Sequence, residues 1–116
     1  MSLFVYGIKN CNTMKKTFDF LESQGVKYDF IDYKKQKPTP ELLQSFIEKA
    51  GLESVINKKG MTYRKMDESQ RKALEKANTA IPVLADNSSM IKRPIILYPD
   101  GSITLGFDSE EISQKL

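Results

Sequence analysis

Two rhythms of apolar and polar positions run along the chain. Leu3-Phe4-Val5-Tyr6 is a short, β-favouring apolar run closed by Gly7, which predicts a buried strand. The spacing then lengthens to the helical period. Met14, Phe18 and Leu21 recur at i, i+4 and i+7, while Lys15, Lys16, Asp19 and Glu22 take the other face. Gly25 stands where such a helix stops. Tyr28 to Tyr33 is aromatic and β-branched enough for a second strand. A right-handed crossover through the helix makes the two strands parallel neighbours.

A basic loop, Lys34-Lys35-Gln36-Lys37-Pro38, leads to a well-marked helix start. Thr39 caps it, Pro40 takes the first helical position and Glu41 complements the positive end of the helix dipole. Leu42, Leu43, Phe46, Ile47 and Ala50 form the apolar stripe, and Gly51 ends it. Leu52 to Ile56 fits one further turn, Asn57-Lys58-Lys59-Gly60 reads as loop, and Met61 to Arg64 fits either state. Asp67 with Gln70 is a capping-box pattern opening a helix to about Ala77. Thr79 to Leu84 predicts another short helix, with Pro82 confined to its first turn.

Lys92-Arg93-Pro94 then precedes a third strand, Ile95 to Tyr98. Pro99-Asp100-Gly101 is a strong turn signal, and Ile103-Thr104-Leu105 completes a hairpin as the fourth strand. Asp108 and Glu111 make a second capping-box pattern, opening a terminal helix with Ile112 and Leu116 apolar. The order predicts a single α/β domain over residues 1–116, a four-stranded mixed sheet with flanking helices. A helical lobe is inserted between strands two and three, at about 39–90. A β-α-β unit followed by β-β-α is the order of the thioredoxin-like fold.

Composition narrows the chemistry. The 116 residues hold no histidine and one cysteine, Cys11. That removes intrachain disulfides, Ser-His-Asp and Cys-His catalysis, histidine acid–base chemistry and nearly every zinc site. Eighteen Lys and Arg against 15 Asp and Glu leave a net charge of +3, too small a surplus to imply direct nucleic-acid binding. The N-terminus lacks the basic and apolar regions of a signal peptide, and no run approaches a membrane span. A free thiol with these features suits a reducing cytoplasm.

Cys11 falls at the junction of the first strand and first helix, in the polar company of Lys9, Asn10, Asn12 and Thr13. Unpaired N–H groups and the positive end of the dipole favour a thiolate there, and Lys9 and Lys15 add positive charge. The segment Cys11-Asn12-Thr13-Met14 holds no second thiol, so a catalytic cycle needs an external one such as glutathione or a glutaredoxin. Only three residues are arginine. Arg64 and Arg93 stand beside Gly- and Pro-marked loops, and a guanidinium fork matches carboxylates and oxyanions. Arg71, on a capped helix among charged residues, reads as solvated surface, as does the Lys34, Lys35 and Lys37 cluster. Tyr28, Phe30, Phe46 and Tyr98 read as core.

Three linked segments carry a resemblance. They are Tyr6-Gly7-Ile8-Lys9-Asn10-Cys11-Asn12-Thr13-Met14-Lys15-Lys16, Asn57-Lys58-Lys59-Gly60-Met61-Thr62-Tyr63-Arg64-Lys65, and Ile91-Lys92-Arg93-Pro94-Ile95. In order and spacing the chain resembles the arsenate reductase (ArsC)/Spx family, most closely its YffB-like branch, which Leu105-Gly106-Phe107 also matches. The resemblance implies a thioredoxin-like fold with a helical insertion, Cys11 as nucleophile, and Arg64 and Arg93 as anion-binding residues. In such folds a cis proline stands where Pro94 does; the dipeptide alone leaves the isomer open, since cis occurs in about 5–6% of X–Pro bonds.

The family implies a glutathione- or glutaredoxin-dependent monothiol reductase, with glutathione as cosubstrate and no tightly bound cofactor. The alternative it offers is an Spx-like regulator that binds RNA polymerase. Such regulators often carry a two-cysteine switch, and Met14 stands where the second cysteine would be. There is one departure. Glutaredoxin-coupled arsenate reductases use a third arginine after the third and fourth strands, and the corresponding stretch here is Thr104-Leu105-Gly106-Phe107-Asp108. A tetrahedral oxyanion would lose a charge-assisted contact worth about 1.5–3 kcal/mol.

Overall fold

In a computed structural model, which describes residues 3–116, the chain forms two compact units. One runs through Gln36 and resumes over Arg93–Leu116; the other is Lys37–Lys92.

The first unit carries the sheet. Strand β1 (Leu3–Gly7) leads to helix α1 (Asn12–Ser23) and strand β2 (Tyr28–Asp32). Their pairing is parallel, with Val5 opposite Phe30, as a β-α-β crossover requires. Strand β3 (Ile95–Leu97) runs antiparallel to β1, and β4 (Ile103–Leu105) antiparallel to β3, giving the order β2-β1-β3-β4. This mixed sheet, with the final helix (Ser109–Lys115) following it, is the thioredoxin-like arrangement. The β3–β4 turn forms as expected: Gly101 has φ +88°, a left-handed value that suits glycine, and the Asp100 carboxylate accepts from the N–H of Ser102.

One core of this unit gathers Leu3, Val5, Met14, Leu21, Ile96, Tyr98 and Ile112. Helix α1 meets it through Met14, Thr17 and Leu21, whereas Phe18 is only half-buried. Thr17 takes a buried place that periodicity alone assigns to an apolar residue, because its hydroxyl donates to the carbonyl of Thr13 at 2.8 Å. Tyr98 and Phe46 are buried as expected, but Tyr28 and Phe30 are half-buried, being on the edge strand of the sheet. Phe4, on the face of β1 opposite Val5, is exposed.

The second unit is helical. It contains α2 (Pro40–Ala50), α3 (Leu52–Val55), α4 (Met61–Arg64), α5 (Glu68–Lys72) and α6 (Ala77–Asp86), which makes the final helix α7. Thr39 caps α2 by accepting from the N–H of Leu42, and Asp67 and Gln70 form the complete capping box of α5.

Two expectations fail here. The helix opened by Asp67 does not reach Ala77: it tightens into a 3-10 turn at Ala73–Glu75 and stops at Lys76, whose backbone is extended. The Thr79 hydroxyl donates to the carbonyls of Ala73 and Lys76, and the Lys76 carbonyl also accepts from the N–H of Ala80, the first bond of the next helix. The next helix therefore begins earlier, and Pro82 lies in its interior instead of its first turn. Pro82 has no N–H for the carbonyl of Asn78, which lies on the exposed side, where water can replace the lost partner.

Candidate active site

Cys11 is the N-cap of α1, in extended conformation (φ −149°, ψ 132°), and is partly exposed. Its neutral thiol makes no side-chain cap bond. As a thiolate it is a better acceptor. Partial burial pushes the Cys11 thiol up, but N–H groups of Met14 and Thr13 and the Arg93 guanidinium together hold it below its ordinary value of 9.0. Arg93 acts twice, as hydrogen-bond donor to Sγ and as a positive charge. Of the cations expected at the thiol, Lys9 and Lys15 from their position and Arg93 from the resemblance, Arg93 is the one that acts on Sγ; both lysines are exposed.

The sequence-predicted residues sort into two places. Cys11, Thr13 and Arg93 converge, and Lys9, Asn10, Asn12 and Lys15 line the groove that opens at Cys11. Pro94 follows Arg93 through a cis peptide bond. Arg64 ends α4 in the second unit, where its side chain is exposed. Arg71 is exposed, as expected, and on the surface its guanidinium lies 5.0 Å over the Tyr63 ring and donates to the Arg64 carbonyl at 3.2 Å. Among the described residues no group of three His, Cys, Asp or Glu could hold a metal ion.

Replacing Arg93 by methionine keeps an extended side chain and removes the donor and charge. The Cys11 thiol should then titrate at higher pH, and alkylation by iodoacetamide at pH 7 should slow by about three- to tenfold, as for a charge-assisted contact screened by water. Lysine at the same position should restore part of the rate through its charge. An unchanged pH profile for Arg93→Met would remove Arg93 from the site.

A positioning residue that sequence reasoning left without a role is Gly106. Its φ is +79°, and its N–H donates to the carbonyl of Pro94 at 2.8 Å, tying the end of β4 to the loop that carries Arg93. The signal was the glycine of Leu105-Gly106-Phe107 directly after a strand. Valine cannot adopt that backbone without strain, so Gly106→Val should cost about 1–3 kcal/mol in urea unfolding and slow Cys11 alkylation. Full retention of both would show that the tie does not position Arg93.

The same stretch explains the missing third arginine. Thr104 is buried and shares a 2.8 Å hydrogen bond with the Tyr98 hydroxyl. Phe107 packs edge-on against Phe20, and the Asp108 carboxylate caps α7 by accepting from the N–H groups of Glu110 and Glu111. These side chains hold the fold together and do not present an anion-binding group.

A thioredoxin-like sheet with one activated thiol at the start of α1 defines a thiol-dependent oxidoreductase. The chain belongs to the ArsC family, whose model matches residues 6–115. It is 38% identical to an uncharacterized protein of Haemophilus influenzae over 107 residues, covering 92% of each. Among solved structures it is similar to the YffB (PA3664) protein, at 38% identity and TM-score 0.91 over 99% of both chains. It is also similar to an arsenate reductase (ArsC) related protein from Brucella melitensis, at 38% identity and TM-score 0.77, covering 100% of this chain and 97% of that one. Among the described residues, no helix is long and apolar enough to cross a membrane.

Proposed function

We propose that the protein is a cytoplasmic monothiol reductase of disulfides, working with glutathione or a glutaredoxin. The observation that carries this reading is the Cys11 thiol held low by the N–H groups of Met14 and Thr13 and by Arg93, against the upward push of burial. The Cys11 thiolate attacks one sulfur of the substrate disulfide. The S–S bond breaks and the other sulfur leaves with the electron pair as a thiolate. A glutathione thiolate then attacks the Cys11 mixed disulfide to release the second half, and further glutathione, directly or through a glutaredoxin, carries the cycle to reduced thiols and oxidised glutathione.

Arg93 stabilises Cys11 as attacking and leaving thiolate alike. The family resemblance assigns Arg64 a share in binding anionic groups of the substrate or of glutathione. Thr104–Asp108 offers no third guanidinium, so disulfides suit the site better than the tetrahedral arsenate oxyanion. The polymerase-binding alternative has less support, because Met14, at the position of a switch cysteine, is fully buried.

The test is turnover of hydroxyethyl disulfide and of arsenate, each with glutathione, glutathione reductase and NADPH, with and without a glutaredoxin. Disulfide-dependent NADPH oxidation well above the arsenate rate is expected. No turnover of the disulfide by fully reduced protein would overturn the reading.

A further inference from the structure

Cys11, Lys15, Phe18 and Glu22 follow one another at i, i+4, i+7 and i+11, so they share one face of α1. That face forms one side of a groove of about 770 Å³ that opens at the thiol and ends against Tyr28 of β2. Its volume falls in the range of small-molecule and cofactor sites. The groove is chemically polarised along its length. Lys9 and Lys15 stand at the thiol end. Toward the Tyr28 end the Phe18 ring stacks on Tyr28 with centroids 5.5 Å apart and planes 8° from parallel, and Phe30 meets Phe18 edge-on at 5.0 Å. Asp19 and Glu22 also line the groove, further along α1 from Cys11 than Lys15, with Glu22 the furthest. Burial raises the Tyr28 hydroxyl, and the negative charges of Glu22 and Asp19 nearby raise it further. The ion pairs Lys37–Asp86 and Lys58–Glu53 involve none of these four charged side chains.

Helical rise sets the spacing. At about 1.5 Å per residue, Lys15 is roughly 6 Å along the axis from Cys11 and Glu22 roughly 16 Å. An extended peptide advances about 3.3 Å per residue, so these distances match about two and about five residues of a docked strand.

We propose that the groove docks the half of a disulfide substrate that becomes bonded to Cys11, as an extended polypeptide segment. An acidic residue within two positions of the oxidised cysteine lies by Lys9 and Lys15. An apolar side chain covers the Phe18–Tyr28 stack, and a lysine or arginine four or five positions from the cysteine pairs with Asp19 and Glu22. The substrate class is therefore an oxidised cysteine in a polypeptide with that charge order. This inference rests on the thiol chemistry proposed above.

The test uses seven-residue peptides with one cysteine capped as a 2-pyridyl disulfide. Cys11 thiolate attacks the peptide sulfur, the peptide is bonded to Sγ, and pyridine-2-thiolate leaves with the electron pair and is read by absorbance as thiopyridone. Peptides with the matched charge order, built in both chain directions, are compared with peptides whose two charges are exchanged. In one direction the matched peptide should react about three- to tenfold faster, with the gap closing at high salt. An Asp19→Lys, Glu22→Lys variant should favour the charge-exchanged peptide; both positions are exposed, and circular dichroism checks the fold. Equal rates for all peptides, with normal reaction of Cys11 with dithiodipyridine, would overturn the groove assignment alone. A sluggish reaction with dithiodipyridine as well would overturn the thiol chemistry beneath it.

Discussion

A Cys11→Ser variant is expected to lose disulfide reduction by a factor on the order of a thousand or more while folding more stably than the parent. The two effects have one structural cause. Cys11 is the N-cap of α1, and its neutral thiol makes no cap bond to the helix. Serine is among the preferred N-caps, its hydroxyl accepting from the N–H groups two and three positions on, here Thr13 and Met14. Below pH 7 the gain should be about 0.5–1 kcal/mol, measured by urea unfolding. A hydroxyl, however, does not ionise near neutral pH and cannot replace a thiolate as nucleophile.

The gain should also depend on pH, with a definite sign. The folded state holds the thiol below its ordinary 9.0, so the parent gains stability as pH rises through the folded value, in full above the unfolded one. As pH falls through the folded value that contribution is lost. The serine advantage is therefore largest in acid and narrows toward alkaline pH. A serine variant with parental activity would mean that the chemistry lies elsewhere.

Met14→Ala is expected to be the most damaging substitution near the site, at about 2–5 kcal/mol in urea unfolding. Met14 is fully buried, and its thioether lies on bare backbone at the end of β1: a Cβ on Gly7 would stand 2.6 Å from its Sδ. Removing the side chain opens a cavity under the first turn of α1, the same turn whose N–H groups favour the thiolate. Cys11 alkylation at pH 7 should slow with it, although no charged group is touched. Met14→Leu, which conserves volume, should lose less than about 1.5 kcal/mol and keep most of the rate. Equal losses for alanine and leucine would show that Met14 acts other than by packing.

Element order was legible because the strands are short apolar runs and the helices carry explicit stop and start residues, as at Thr39, Pro40 and Gly51. Cys11 was legible as well, since its polar neighbours set it apart from a core cysteine. The place of Arg93 at the thiol came from the family resemblance alone, because it reaches Sγ only where β3 runs beside β1, which no local pattern encodes. What escaped the sequence was decided by contacts distant along the chain or by local backbone. Pro82 sits inside α6 because a break at Lys76 moved the helix start, and Thr17 is buried because a carbonyl one turn back accepts its proton. Gly106 was visible as a glycine, but its bond to Pro94 depends on the β3–β4 pairing.

The most direct measurement of the central claim is the rate of Cys11 alkylation by iodoacetamide as a function of pH, followed by intact mass after exposure to oxidised glutathione. The expected result is a titration midpoint below 9.0 that moves upward in Arg93→Met, and a single glutathione adduct on the parent protein. A midpoint at or above 9.0 that Arg93→Met leaves unmoved, with no adduct formed, would contradict it.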